Sequence, residues 1–234
     1  MSAGDAAARR EQLVALYKEV VGCTRCPLYE TRTKAVFGAG NADADLMFVG
    51  EAPGAEEDRQ GLPFVGRAGQ LLNQLLEEIG LSREDVFICN VLKSRPPNNR
   101  DPLPTEIAAC EPWLFEQVRL IEPRVVCTLG NFATKLLTGS PTGITRVRGV
   151  PQVHELGGRT VHLLPLFHPA AALRTPAVKE QLRADFATIP ALIEEALPAP
   201  LPSAAEIAEE EAREKMADEP PPADQLGFFG ESAG

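Results

Sequence analysis

The chain has 234 residues, of which 44% are apolar and 24% are charged. This length suits one globular domain with room for a tail, and the apolar fraction is enough for a sizeable core. No apolar run is as long as a membrane-spanning helix, and the N-terminus lacks the basic-then-apolar order of a secretory signal. We therefore expect a cytoplasmic protein that makes no membrane contact.

The net charge of −10 is unevenly distributed along the chain. Residues 198–234 carry nine acidic and two basic side chains, a net −7, which leaves −3 for the remainder. A domain this close to neutral can still present a basic patch, so nucleic acid is not excluded as a partner. The five cysteines are an odd number, which argues against a disulfide framework and favours metal binding or burial.

Apolar residues at helical spacing alternate with short apolar runs typical of buried strands. Gly22 and Gly80 end two of the helices, and Thr105 is the expected N-cap of a third. Strands that alternate with helices predict a three-layer α/β/α fold around a central four-stranded, mainly parallel sheet. The predicted helices span 11–21, 66–79, 105–121, 130–137 and 178–197, and the predicted strands span 45–49, 86–91, 124–129 and 161–166.

Two domains of different character follow from composition: a folded domain over 1–197 and an acidic, Pro-rich tail over 198–234 that we expect to be disordered. The tail contains one apolar island, Gln225-Leu226-Gly227-Phe228-Phe229. This island resembles the short peptide that binds the bacterial sliding clamp. A flexible tether that presents apolar anchors to a groove would suit such a partner.

Two loops, Gly50–Gly54 and His168–Ala171, each follow a predicted strand directly. In open α/β sheets, binding sites form where loops leave the carboxyl ends of the strands. A glycine-rich turn lets backbone approach a ligand closely, and histidine can act near neutral pH. The sequence therefore predicts one site built from both loops.

Four motifs follow one another along the chain: Gly50-Glu51-Ala52-Pro53-Gly54, Gly61-Leu62-Pro63-Phe64-Val65-Gly66, Lys93-Ser94-Arg95-Pro96-Pro97 and His168-Pro169-Ala170-Ala171. Together they resemble the family-4, iron–sulfur uracil-DNA glycosylases over roughly residues 10–195. The resemblance implies a [4Fe–4S] cluster and a monofunctional enzyme that releases uracil from DNA by hydrolysis, the first step of base excision repair.

The resemblance assigns three side chains to the uracil of a nucleotide flipped out of the DNA stack. His168 would hydrogen-bond the uracil oxygen where negative charge develops. Asn90 would pair with the edge of the base, since a carboxamide offers both a donor and an acceptor. Phe64 would stack on the ring.

The motifs offer three candidates for the catalytic carboxylate. Glu51 is our preferred residue for positioning water or stabilising the cationic sugar, with Glu57 and Asp58 as alternatives in the pocket or at the start of a helix. Ala52 stands where family-1 enzymes carry an aspartate, so their water-activating group is not simply inherited. Ala52 and Gly54 are expected to line the substrate pocket.

Contacts to DNA are expected from two loops. Leu173 could be the apolar wedge that fills the vacated stack, and Arg174 could contact phosphate. Arg95 and Arg100, in the Pro-rich loop, are further candidates for phosphate contacts.

The Cys23–Cys26 spacing suits zinc or iron–sulfur binding, and the resemblance implies that Cys110 is a further cluster ligand. The family's remaining ligand usually lies where this chain has Ser94. Cys89 could supply the fourth thiolate, Ser94 could bind through oxygen, three cysteines could suffice, or the cluster could be labile or absent. We favour Cys89, and we expect Cys127 to be an ordinary buried strand residue.

Two other functions compete with uracil release. One is a catalytically weak, DNA-damage-binding relative of the same fold, and the other is an electron-transfer protein, which would leave Asn90 and His168 without roles. Some relatives trap uracil covalently through a histidine after the second strand. No histidine lies between Asn90 and His154, so we expect turnover by a monomeric enzyme.

Overall fold

The computed structural model describes residues 3–197. The predicted α/β fold is confirmed, but the sheet has six strands rather than four. They lie in the order β1-β3-β2-β4-β6-β5, with β2, β3, β4 and β6 mutually parallel and the two edge strands antiparallel to their neighbours. The strands are β1 Ala39–Gly40, β2 Leu46–Gly50, β3 Phe87–Asn90, β4 Val125–Leu129, β5 Gln152–Leu156 and β6 Arg159–Leu166.

The sequence pattern missed both edge strands for physical reasons. β1 has only two residues. β5 is half exposed and polar, and it joins β6 through Gly157 and Gly158, both with positive φ (57° and 75°). A two-residue turn of this kind matches the twist of a hairpin.

Helices cover both faces of the sheet. One apolar layer joins the sheet to α1, α4 and α5, and the other joins it to α3, α8 and α9. Along β2 the side chains alternate between the two layers, Met47 and Val49 in the first and Leu46 and Phe48 in the second. The helices are α1 Ala3–Val21, α2 Ala55–Gln60, α3 Arg67–Glu78, α4 Pro104–Ile121, α5 Asn131–Thr138, α6 Ile144–Val147, α7 Pro169–Ala172, α8 Pro176–Phe186 and α9 Ile189–Glu194.

Several helix boundaries differ from the sequence prediction, and α1 begins at Ala3 rather than at residue 11. Thr105 is not an N-cap, because α4 begins one residue earlier at Pro104 and Leu103 holds the cap position. The Glu106 carboxylate accepts a hydrogen bond from the Leu103 N–H (2.8 Å), which satisfies a free donor of the first turn. The single helix predicted over 178–197 is divided into α8 and α9. No helix within residues 3–197 is long and apolar enough to cross a membrane.

The carboxyl ends of the four parallel strands meet at one edge of the sheet. Gly50 pairs with Asn90, and Leu129 pairs with Leu166. The loops after β2, β3 and β6 therefore leave the same edge of the sheet, with β4 between β2 and β6, which confirms that the two motif loops share one edge.

Candidate active site

A cavity of about 680 Å³ opens beyond the carboxyl ends of β2 and β3. It brings together the loop after β2, the Pro-rich loop after β3 and the start of α7. This is the position in which open α/β sheets bind their ligands. The lining residues are Glu51, Ala52, Pro53, Gly54, Glu57, Phe64, Ala68, Asn90, Pro96, Asn99, Arg100, Asp101, His168, Ala170 and Arg174.

Asn90 ends β3 with its side chain almost fully buried at the cavity wall. The hydrogen bonds Val91 N–H to Gly50 O (2.9 Å) and Leu92 N–H to Glu51 O (3.0 Å) continue the pairing of β3 with the neighbouring loop. A Cβ on Gly50 would lie 2.4 Å from Asn90 Oδ1 and 2.7 Å from Phe64 Cζ. Gly50 thus leaves the space in which the amide and the aromatic ring meet.

Phe64 lies against the histidine of the other motif loop. Its ring is stacked on that of His168, with centroids 5.6 Å apart and planes 27° from parallel. The Phe64 backbone has a φ of 52°, a left-handed conformation that bulky residues rarely adopt. Such strain costs about 1–3 kcal/mol, so the surroundings must hold the residue in place.

His168 is the N-cap of α7, and its Nδ1 accepts a hydrogen bond from the Ala170 N–H (3.1 Å). Burial lowers the pKa of His168 to about 4, against a weaker opposing effect of the Glu57 carboxylate. The imidazole is therefore neutral near pH 7. Because Nδ1 is an acceptor, the single ring proton is on Nε2, which makes Nε2–H the one donor that the ring can offer a ligand.

Glu51 is a cavity-lining carboxylate with a raised pKa. Burial, and then the negative charge of Asp101, raise the pKa of Glu51 to about 6. The group is thus ionised near neutral pH yet basic enough to take a proton.

The two alternative carboxylates, Glu57 and Asp58, both accept hydrogen bonds from backbone N–H groups. Glu57 Oε1 accepts hydrogen bonds from the N–H groups of Val65 and Gly66 (both 3.1 Å), so Glu57 lines the cavity while holding the loop that carries Phe64. Asp58 is buried outside the lining, where its Oδ1 accepts from the Thr33 N–H (2.9 Å). The structure therefore does not bring Asp58 to the predicted substrate pocket.

Residues 37–188 match the uracil DNA glycosylase superfamily. A type-4 uracil-DNA glycosylase from Archaeoglobus fulgidus is 45% identical over 76% of this chain and 92% of its own length. One from Thermotoga maritima is 52% identical over 70% of this chain and 85% of its own. The chain belongs to the type-4 uracil-DNA glycosylases. The family predicted from the four motifs is thereby confirmed.

In this type-4 glycosylase the predicted DNA-contact residues are differently placed. Arg174 lines the cavity, and neighbouring Leu173 is 39% exposed, as a wedge would have to be. Arg100 lines the cavity too, but its guanidinium is bound by both oxygens of Glu106 (2.9 and 2.5 Å). Arg95 lies outside the lining and donates to Asn99 Oδ1 (2.7 Å).

Asp101 and Asn99 are lining residues that the sequence did not single out. Arg100 donates to the Asp101 backbone oxygen (2.9 Å) as well as to Glu106, which anchors this part of the loop to the start of α4. No motif marks these residues, since their placement depends on how the Pro-rich loop folds back onto α4.

Among the described residues, none of those that line the cavity is a cysteine. Cys110, on α4, accepts a hydrogen bond from the Lys93 backbone, and Cys23 and Cys26 lie near enough to raise its pKa further, although burial is the main cause. Arg25, inside the CxxC loop, stacks over the Trp113 ring at 3.8 Å, which holds that loop against α4.

The donor set near Cys110 fits the chemistry of an iron–sulfur cluster in part. Ser94 directly follows Lys93, and its hydroxyl accepts a hydrogen bond from Arg32 (3.0 Å). Cys89 is fully buried in the same apolar layer as Cys110, beside the Lys93 ammonium. Among residues 3–197, no three His, Cys, Asp or Glu side chains are arranged to hold a metal ion. Cys127 is fully buried in β4, as its strand pattern indicates.

Proposed function

We propose that this chain hydrolyses the N-glycosidic bond between uracil and deoxyribose in DNA, and so begins base excision repair. One observation carries the proposal: Asn90, Phe64 and the neutral His168 converge on a single cavity. These groups offer a hydrogen-bonding edge, an aromatic face and a fixed N–H donor, which is what a flipped-out uracil requires. The type-4 relatives carry this activity in their names.

The reaction breaks the bond between the sugar C1′ and the uracil N1, and the electron pair leaves with the base. Negative charge spreads onto the uracil oxygens, where His168 Nε2–H would donate a hydrogen bond. A neutral donor stabilises the uracil anion without giving up its proton. Because the pKa of His168 is about 4, the ring keeps this form across the physiological range.

The sugar becomes oxocarbenium-like as the base departs, and water adds to C1′. The ionised Glu51 would stabilise the cationic sugar and take a proton from that water. With a pKa of about 6, Glu51 can do both near neutral pH. Phe64 would stack on the uracil ring, and Asn90 would select its edge.

The test is release of uracil from an oligonucleotide with one deoxyuridine, read as alkali-labile strand cleavage, beside a matched thymidine oligonucleotide. We expect cleavage of the uracil substrate alone. His168→Gln should reduce the single-turnover rate at least about 100-fold, whereas His154→Gln, on edge strand β5, should not. Tight binding of the uracil oligonucleotide without cleavage would instead favour the damage-binding alternative.

A [4Fe–4S] cluster bound by Cys23, Cys26 and Cys110 is part of this proposal. Its support is the proximity of these three thiols and the membership of the chain in the type-4 family. When bound, the cluster would supply a covalent tie between the end of α1 and α4. Iron and sulfide analysis of the wild-type protein tests whether the cluster is present. The same analysis of Cys89→Ala and Ser94→Ala identifies the fourth ligand, since of these two changes only the loss of that ligand should lower the iron content.

Gln225–Phe229 lies outside the described residues, and we propose from its sequence alone that it binds the sliding clamp. Removing the last ten residues should abolish binding to immobilised clamp and leave uracil release from a short oligonucleotide unchanged. Equal clamp affinity of the full and shortened chains would exclude this role. We also propose that the protein is a cytoplasmic monomer, which light scattering after gel filtration tests for the oligomeric state.

A further inference from the structure

The left-handed backbone of Phe64 needs an external restraint. Its φ of 52° is unfavourable for a bulky side chain, yet the ring must keep this backbone to lie against His168. Phe64 is 6% exposed, and its ring occupies the space that a Cβ on Gly50 would need, at 2.7 Å from Phe64 Cζ. A change in the Phe64 peptide would therefore move the stacking surface away from the site.

Arg83 provides such a restraint from outside the cavity. Its Nη2 donates to the Pro63 oxygen (2.7 Å), and its Nη1 donates to the Phe64 oxygen (3.0 Å) and to Asn73 Oδ1 (3.2 Å). The planar guanidinium thus joins two successive carbonyls to α3. Within residues 3–197 Arg83 forms no ion pair, so backbone and amide oxygens are its partners there.

The same carbonyl is restrained from a second side. A Cβ on Gly69, in the first turn of α3, would lie 1.7 Å from the Phe64 oxygen. The helix backbone therefore packs directly against the peptide that Arg83 binds. Rotation of this peptide would break the hydrogen bond from Arg83 and lose its packing against Gly69.

We propose that Arg83 is a positioning residue for uracil recognition, which acts by holding the Pro63–Phe64 peptides so that the Phe64 ring is ready to stack on the base. This role rests on the proposed function. Arg83 is absent from the cavity lining, so it acts through Phe64 and not by touching substrate. Preorganisation of this kind lowers the conformational entropy lost on binding.

The kinetic test is a double-mutant cycle with Arg83→Met and Phe64→Ala, measured on a uracil oligonucleotide and with free uracil as competitor. In the wild-type background, Arg83→Met should raise KM and the inhibition constant of free uracil about tenfold, because charged hydrogen bonds are lost, while kcat changes less. In the Phe64→Ala background, Arg83→Met should have no further effect. Equal losses in the two backgrounds would overturn the proposal.

Two further variants separate positioning from folding. Arg83→Lys keeps the positive charge but lacks the planar guanidinium that donates to two carbonyls at once. Its affinity for uracil should therefore lie between those of wild type and Arg83→Met. Arg183→Met removes an arginine bound to Glu78 and Glu180 on the surface, and it should leave KM unchanged. Melting temperatures of all variants show whether a loss reflects unfolding.

Amide hydrogen exchange provides a readout that needs no activity. The N–H groups of Val65 and Gly66 are bonded to Glu57 only while the loop keeps its shape. Arg83→Met should speed exchange of the Val65 amide, and Arg183→Met should not. Unchanged exchange would reject the positioning role even in an inactive protein, whereas inactivity of the wild type would reject only the proposed function.

Discussion

Protonation of His168 should make the folded protein markedly less stable in mild acid. An unfolded histidine has a pKa near 6.5, and burial lowers that of His168 to about 4. Below pH 6.5 the unfolded chain therefore binds a proton that the folded chain excludes. Stability is unaffected above this range and falls as the pH drops from about 6.5 towards 4.

The magnitude follows from the two pKa values. At pH 5 His168 is almost fully protonated in the unfolded chain, but it is protonated in only about one folded molecule in ten. This difference in proton binding lowers the free energy of unfolding by about 2 kcal/mol. Below pH 4 the loss approaches about 3.4 kcal/mol. These are upper values, since the ring edge faces the cavity, where water screens the charge.

The assay is urea unfolding of wild type and His168→Gln at pH 7 and pH 5, followed by fluorescence of Trp113, the one tryptophan of the chain. Between these pH values, wild type should lose about 2 kcal/mol more than the variant. The other two histidines are present in both proteins, so their contributions to the difference cancel. Loss of the α7 cap lowers the free energy of unfolding of the variant by the same amount at both pH values. Parallel losses in the two proteins would refute a depressed His168 pKa.

Three further predictions concern the surroundings of the site. Asp101→Asn removes a charge that raises the pKa of Glu51, so the acidic limb of the pH–rate profile should move to lower pH; an unmoved limb would argue against Glu51 as the base. Gly69→Ala places a methyl group 1.7 Å from the Phe64 oxygen and should raise KM for uracil DNA, with wild-type kinetics as the contrary result. Glu106→Ala removes the partner of Arg100 and of the Leu103 N–H, and urea unfolding should show a loss of about 2 kcal/mol.

Much of the fold could be predicted because its signals are local. Four buried strands separated by amphipathic helices require a mainly parallel sheet, and such a sheet brings the ends of its strands to one edge. Asn90 and His168 follow two of these strands, so their convergence needed no knowledge of side-chain contacts. The edge strands escaped prediction because β1 is very short and β5 is polar.

The sequence by itself therefore determined the α/β architecture, the family and the meeting of the two motif loops. These features depend on the alternation of strands and helices and on the positions of the motifs, both of which are visible along the chain. Only the tertiary structure decided which charged groups are free to act. It commits Arg100 to Glu106, Asp58 to the Thr33 backbone and Arg83 to the Phe64 loop. These pairings join residues through loops that fold back on the domain, so they depend on three-dimensional packing that no local pattern records.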